Sequence, residues 1–475
     1  MKVLKNFIYN FLYKILTIIL PFITVPYVTR IFEPEVLGKY NYTASITTYF
    51  TMFGMLGIVT YGSNQIAKVA HSGKEVVSST FSSIYYFQLL TTSIATLTFI
   101  ICIFLFPGEY TTFFLVQIFS LISIMLDVSW LFQGVEDFKS IVVRNTFIKL
   151  VSVFLVFLLI KKSSDIYIYI LITTFSSFIS QVIIWVNVGQ YARLVKVEWK
   201  NIIYHLRPTL SFFMPQISIT LYNTLDRVIL GSLGSVYDVG IYTQAVNINT
   251  ILISFVATLS TVLLPRMTSL YAQGKHKEVS NMMNYSMLFN SLITFPTVIG
   301  MLLINKDFVH LFLGNGYSES TVAISIIIFS LIPISFSEIV GRQTLIPTNN
   351  VKFFTASVIT GAFVSIILNA VSIPIWGYKG AAVTMVIVET VVCICMAYFA
   401  RSYLDIQKLL QISIKPMICA LLTGTLVHFI STYIDLSSLI YSLVLKVLLF
   451  ILIYGTLLIL TKTVSKNDLE LLKNR

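Results

Sequence analysis

FIYNFLYKILTIILPFITVPYVT, residues Phe7 to Thr29, carries a single charge, Lys14. A bilayer core of about 30 Å is crossed by roughly 20 apolar residues at about 1.5 Å each, so this stretch is long enough to span. It is too long for the apolar centre of a signal peptide, and no small-residue cleavage site follows it. It therefore reads as a retained membrane helix.

Working outward, thirteen further stretches of the same kind occupy residues 41–63, 81–106, 112–133, 141–160, 166–188, 209–231, 241–264, 284–305, 321–340, 353–375, 380–400, 414–433 and 439–461. The expected fold is thus all-α, with about fourteen transmembrane helices. Composition agrees: 56% of the 475 residues are hydrophobic and 11% charged, against about 25% charged in a soluble domain. The mean hydropathy of +0.86 excludes a water-soluble fold.

The net charge of +12 is scattered through short connections, which argues against nucleic acid as a partner. Cytoplasmic connections of membrane proteins concentrate Lys and Arg. With the N-terminus inside, twenty-two of the thirty-two basic residues fall in cytoplasmic segments; the outer connections hold only Arg30, Lys39, Lys161, Lys162, Lys306 and Lys379. Miscounting one helix would invert every later loop, so both termini are expected in the cytoplasm. Trp130, Trp185, Trp199 and Trp376 fall at or beyond helix ends, as an interfacial belt requires.

Cys102, Cys393, Cys395 and Cys419 lie in apolar runs, and the five histidines lack ligand spacing, so neither a disulfide framework nor a metal is expected. Gly73-Lys74 and Gly274-Lys275 lack the earlier glycine of a phosphate loop, and no cofactor is expected. No outer loop exceeds about sixteen residues, which disfavours a membrane glycosyltransferase, polymerase or ligase that carries its chemistry on large external loops.

Four segments are expected: a six-helix bundle over residues 1–188, a cytoplasmic linker over 189–208, a second six-helix bundle over 209–400, and two further helices with a cytoplasmic tail over 401–475. Helices one and seven share features. Prolines interrupt both (Pro21 and Pro26; Pro208 and Pro215), an arginine stands toward the outer end of each (Arg30; Arg227), and Gly-x-Tyr opens the next helix (Gly38, Tyr40; Gly240, Tyr242). Broken helices at matching positions of two halves point to a transporter's central site.

The run Leu20-Pro21-Phe22-Ile23-Thr24-Val25-Pro26-Tyr27-Val28-Thr29-Arg30 with Gly38-Lys39-Tyr40 resembles the opening of the Wzx-type polysaccharide flippases of the multidrug, oligosaccharidyl-lipid and polysaccharide exporter superfamily. So does Tyr61-Gly62-Ser63-Asn64-Gln65-Ile66-Ala67. Asp226-Arg227-Val228-Ile229-Leu230-Gly231 with Val239-Gly240-Ile241-Tyr242, and Leu311-Phe312-Leu313-Gly314-Asn315-Gly316-Tyr317, are similar to that family's later motifs. The resemblance covers essentially the whole chain. It implies two pseudo-symmetric six-helix bundles around a polar central cavity, two appended helices, and a bacterial cytoplasmic membrane location. The implied cargo is an undecaprenyl-diphosphate-linked oligosaccharide for capsule or O-antigen, with a polysaccharide polymerase and chain-length machinery as possible partners.

A charge at the bilayer centre costs about 2.5–3.5 kcal/mol on insertion scales, so it faces protein or a watery cavity. The candidates are few. Arg30, Lys149 and Arg227 could bind the diphosphate through guanidinium and ammonium groups; anchoring and snorkelling are the bland alternatives. Asp127, Asp226 and Glu389 could sit in the cavity and bind a coupling cation or proton; an internal ion pair is their alternative. Lys14 and Lys446 read as snorkelling residues, and Glu338 with Arg342 as a helix-surface pair. The function expected is alternating-access transport without covalent chemistry. A multidrug antiporter and a lipid II flippase of the same superfamily are the alternatives, and a membrane glycan polymerase or ligase is the more distant one.

Overall fold

A computed structural model describes the backbone of residues 2–433 and 438–463. The side chains of 2–12, Lys14, Pro215 and Asn223, among a few others, lie outside the described set. The expectations placed on Lys2, Lys5, Lys14, Pro215, Lys466, Lys473 and Arg475 fall there.

The described chain is helical from end to end. The helices are α1 (Lys2–Ile31), α2 (Pro34–Val69), α3 (Lys74–Leu105), α4 (Thr111–Gly134), α5 (Phe138–Leu159), α6 (Ser163–Tyr191) and α7 (Leu206–Leu233). They continue as α8 (Val236–Ala272), α9 (His276–Phe312), α10 (Ser320–Leu345), α11 (Val351–Trp376), α12 (Tyr378–Ala400), α13 (Ile406–Tyr433) and α14 (Leu439–Leu460). Among the described residues, twelve helices, α2 to α6 and α8 to α14, are long and apolar enough to cross a membrane. Alpha-helices suit the bilayer because each closes its own backbone hydrogen bonds.

Local chemistry sets the ends. Pro34 opens α2 in the first turn, where its missing N–H costs nothing. Asp137 caps α5 by accepting from the Ser140 N–H at 3.3 Å, and Ser235 caps α8 by accepting from Asp238 N–H at 3.0 Å. Most helices overrun the apolar stretches by one or two turns, because a helix continues into the headgroup region where side chains become polar.

Three helices are interrupted. In α2, Leu56 and Gly57 are both left-handed (φ 43° and 75°), and a Cβ on Gly57 would come within 2.9 Å of the Phe212 and Phe213 backbone. In α4 the helix breaks over Leu126 to Val128. In α10 a 3₁₀ turn (Ile328–Ser330) is followed by a π-helical stretch (Glu338–Leu345), a form that recurs at functional sites.

The chain divides into two compact units, Met1–Gly231 and Ser232–Arg475, so α7 packs with the first six helices. The reason is visible along α2. Tyr61 bonds His205 just before α7, Gly57 meets Phe212, the Phe53 and Phe213 rings are 5.6 Å apart, and the Tyr42 ring lies where a Cβ on Gly231 would be.

The connection before α7 is fastened to the same unit. Lys74 Nζ donates to Gly189 O at 2.6 Å. The Arg193 and Val195 N–H groups donate to Ser78 Oγ and Ser82 Oγ, each at 2.9 Å, and Ser82 Oγ donates to Arg193 O at 3.3 Å. His205 closes the run, with Nδ1 2.7 Å from Tyr61 Oη and Nε2 2.9 Å from Ser83 Oγ. Residues 192–205 are therefore laid along the first turns of α3, and Ala192 and Ile202 enter the apolar core with Phe81, Trp130 and Ile184.

Each unit is bonded internally between its helices. Tyr40 of α2 meets Tyr169 of α6 with ring centroids 5.7 Å apart; Tyr242 of α8 brings its hydroxyl 3.8 Å from the Met385 sulfur on α12. Gln117 of α4 bonds Thr43 and Thr47 of α2 at 2.8 and 2.6 Å, and Asn249 of α8 bonds Ser330 of α10 at 2.9 Å. In the second unit α13 and α14 pack on α9 around Phe295, Cys419, Ala420, Phe450 and Tyr454.

The tryptophan belt needs correction. Trp199 and Trp376 are exposed, but Trp130 is fully buried and Trp185 half-buried. Their indole N–H groups are spent inside the unit, Trp130 on Gln88 Oε1 at 2.9 Å and Trp185 on Leu126 O at 3.0 Å.

Candidate functional site: polar groups inside each unit

The break in α4 shows how the first unit tolerates polarity. Gln88 of α3, fully buried, donates through Nε2 to Ile124 O at 2.8 Å and Asp127 O at 2.9 Å while its Oε1 takes the Trp130 N–H. One amide thus satisfies carbonyls that the helix has dropped. The break also sets the Asp127 carboxylate, whose Oδ1 accepts from Ser129 N–H at 2.9 Å.

Facing Asp127 across the unit is Arg144 of α5, 8% exposed. Its Nε and Nη2 donate to Asn145 Oδ1 at 3.1 and 2.8 Å, and its Nη1 to Gln181 Oε1 of α6 at 3.4 Å. Ser180 Oγ also donates to Asn145 Oδ1, at 3.1 Å. Lys149, half-buried, stands one turn beyond Asn145 on the same face of α5. Asp127 and Lys149 were legible as intramembrane charges; Arg144 was counted among the cytoplasmic positives because it stands early in its helix. The signal that could have found it is the adjoining Asn145 together with Gln181.

Asp226 and Arg227 of α7 are half-buried beside Tyr49 of α2, whose hydroxyl also lies next to Thr224. Arg30 is exposed at the end of α1, where its Nη1 donates back to Pro26 O at 2.6 Å. Arg30 is thus not part of the Arg144 group.

In the second unit α10 is the polar spine. Asn305 of α9 donates to Thr321 O and Ser325 Oγ at 2.7 and 2.8 Å, Asn290 of α9 to Ser335 O at 3.4 Å, and Gln343 to Ser260 Oγ of α8 at 2.8 Å. Glu389 of α12 is half-buried near Cys393, which lies beside Ser337. Glu338 pairs with Arg342 at 3.3 Å as the four-residue spacing implies; the carboxylate side chain is 11% exposed while the guanidinium side chain stays 41% exposed. The π-helical turn beginning at Glu338 directs the carboxylate inward.

Lys446 does not snorkel: its Nζ is 2.6 Å from Asp307 Oδ2, and both side chains are about one-fifth exposed. The pair ties α14 to α9.

A family model described as a polysaccharide biosynthesis protein matches residues 3–271, and a second model, MatE, matches residues 208–371. The chain is 26% identical over 404 residues to a protein named for O-antigen transport in Escherichia coli (strain K12), covering 84% of this chain and 96% of that one. It is 25% identical over 409 residues to the capsular polysaccharide biosynthesis protein CapF of Staphylococcus aureus, covering 84% and 99%. Its fold is similar to that of the lipid II flippase MurJ in an inward closed conformation, with a TM-score of 0.75 at 14% identity over 96% of this chain and 98% of that one. It is also similar to an inward-facing multidrug resistance transporter of the MATE family, with a TM-score of 0.61 at 12% identity over 84% and 94%. The chain is a multi-pass membrane protein, and since the first model spans more than half of its length, it belongs to the polysaccharide biosynthesis protein family.

Proposed function

We propose that this chain is a flippase that moves undecaprenyl-diphosphate-linked oligosaccharide repeat units across a bacterial cytoplasmic membrane, for capsule or O-antigen assembly. It is a transporter and not an enzyme. The observation that carries the choice is how much of the chain each likeness takes in. The likeness to the lipid II flippase extends over 96% of the chain, that to the multidrug transporter over 84%. The likeness to a protein named as a lipid II flippase thus takes in more of the chain than the likeness to the multidrug transporter does. Relatives named for O-antigen transport and for capsular polysaccharide support the surface-glycan cargo over lipid II.

In this reading the termini are cytoplasmic, the helices form two pseudo-symmetric six-helix bundles, and the bundles rock to expose the headgroup to each side in turn. Arg30, Lys149 and Arg227 hold the diphosphate, and Asp127, Asp226 and Glu389 supply the differential affinity through a coupling cation or proton. A polymerase and chain-length machinery would take the product. The test is deletion followed by complementation: surface polysaccharide should disappear, lipid-linked repeat units should accumulate on the inner leaflet, and both should revert with the intact gene. Normal polysaccharide in the deletion strain refutes the reading. Within it, an Arg30→Ala, Arg227→Ala double variant at normal protein level should export poorly, and equal export removes those two residues from the cargo site.

A further inference from the structure

The polar group around Arg144 has more donors than acceptors. A guanidinium carries five N–H groups; three are used, two on Asn145 Oδ1 and one, at 3.4 Å, on Gln181 Oε1. Asn145 Oδ1 also receives Ser180 Oγ, so one oxygen serves three donors. Among the described residues no carboxylate oxygen lies within 4 Å of this guanidinium, and neither the Asn145 nor the Gln181 amide nitrogen donates to a protein acceptor. Asp127 is within electrostatic reach but not in contact, and its Oδ1 is committed to Ser129.

Burying a guanidinium without a contacting carboxylate is unfavourable, and truncating its partners makes it more so. Neutral carbonyls satisfy it only in part. What would complete the group is an oxyanion with several lone pairs to spread over the fork of Arg144 and the two amides, with the Lys149 ammonium one turn away. Phosphate oxygens fit that fork in paired hydrogen bonds.

We propose that Arg144, Asn145 and Gln181 form an oxyanion subsite inside the first unit, between α4, α5 and α6, that takes a phosphate or diphosphate group. It deepens the flippase reading by adding a headgroup site on α5 and α6.

The test uses the purified full-length protein in nanodiscs, titrated with farnesyl diphosphate, inorganic pyrophosphate and farnesol. Tryptophan fluorescence reports binding, since Trp185 stands one turn from Gln181, and thermal stability is measured alongside. Arg144→Gln should weaken farnesyl diphosphate binding by roughly ten- to hundredfold, the size of a lost charged hydrogen-bond pair. Gln181→Glu separates this from a structural role. It hands Arg144 a carboxylate, so it should hold or raise the melting temperature while weakening diphosphate binding by a similar factor. Inorganic pyrophosphate competing as well as the lipid form assigns the recognition to the oxyanion alone; competition by the lipid form only assigns it to a lipid headgroup. Unchanged binding in Gln181→Glu, or displacement by farnesol, overturns the subsite. Because these are binding measurements, they can fail while glycan export in cells still depends on the chain, and the reverse.

Discussion

Replacing Ser82 by alanine should release the segment before α7 from α3. Ser82 is fully buried, and its hydroxyl both accepts from Val195 N–H at 2.9 Å and donates to Arg193 O at 3.3 Å. Each such bond contributes about 1 kcal/mol net, and Arg193 and Val195 are exposed enough for water to replace the lost partner. The cost is therefore about 2 kcal/mol, and the opening equilibrium should rise roughly thirtyfold, at 1.4 kcal/mol per factor of ten. Ser78→Ala, which removes one tether to the segment, the bond from Arg193 N–H, along with a bond inside α3 to Lys74 O, should raise it about fivefold. Hydrogen exchange by mass spectrometry on a peptide covering residues 192–200 reads this directly. Exchange within twofold of the parent in the Ser82→Ala protein would refute the claim that the segment is held by these hydroxyls.

His205 gives the same attachment a pH dependence. Burial holds its imidazole down at about 4, against an ordinary 6.5, so the folded form resists protonation that the released form accepts. Docking should be at full strength above about pH 6.5 and weaken as pH falls toward 4, by at most about 3 kcal/mol, and His205→Gln should flatten the exchange rate against pH. Lys446→Met should strand Asp307 and lower the melting temperature, whereas Lys446→Met with Asp307→Leu should recover most of the loss; additive losses in that double-mutant cycle exclude a working pair. Gly62→Ala should destabilise by about 1–3 kcal/mol, because its Cβ would stand 2.7 Å from the fully buried Trp130 ring, and an unchanged melting temperature would contradict the packing.

The helices were legible because burial in lipid leaves a length signal, and every expected apolar stretch coincides with an observed helix, three of them running one residue past its end. What escaped was set by contacts between distant positions. Trp130 and Trp185 stand where a belt residue would, yet Gln88 and the Leu126 carbonyl draw both indoles inward. Arg144 has the sequence position of an inner-surface charge; only α6 arriving with Ser180 and Gln181 makes it an interior one. Lys446 has the position of a snorkelling residue, but Asp307 sits 139 residues away in sequence and cannot be paired with it by pattern. Glu338 and Arg342 were rightly paired by spacing, while the burial of Glu338 follows from a π-helical turn that the residue pattern does not announce.

The fastening of residues 192–205 changes what kind of joint connects the two units. A twenty-residue strand of slack would let one half drift freely from the other; here the slack is taken up against α3, and the next helix runs alongside α2 as far as Gly231. Only Gly234 and Ser235 then separate that helix from α8. The chain between α7 and α8 is therefore short, and no loose length of chain precedes it. Lengthening the chain around Lys196 should accordingly leave turnover untouched, whereas adding residues between Gly234 and Ser235 should lower it.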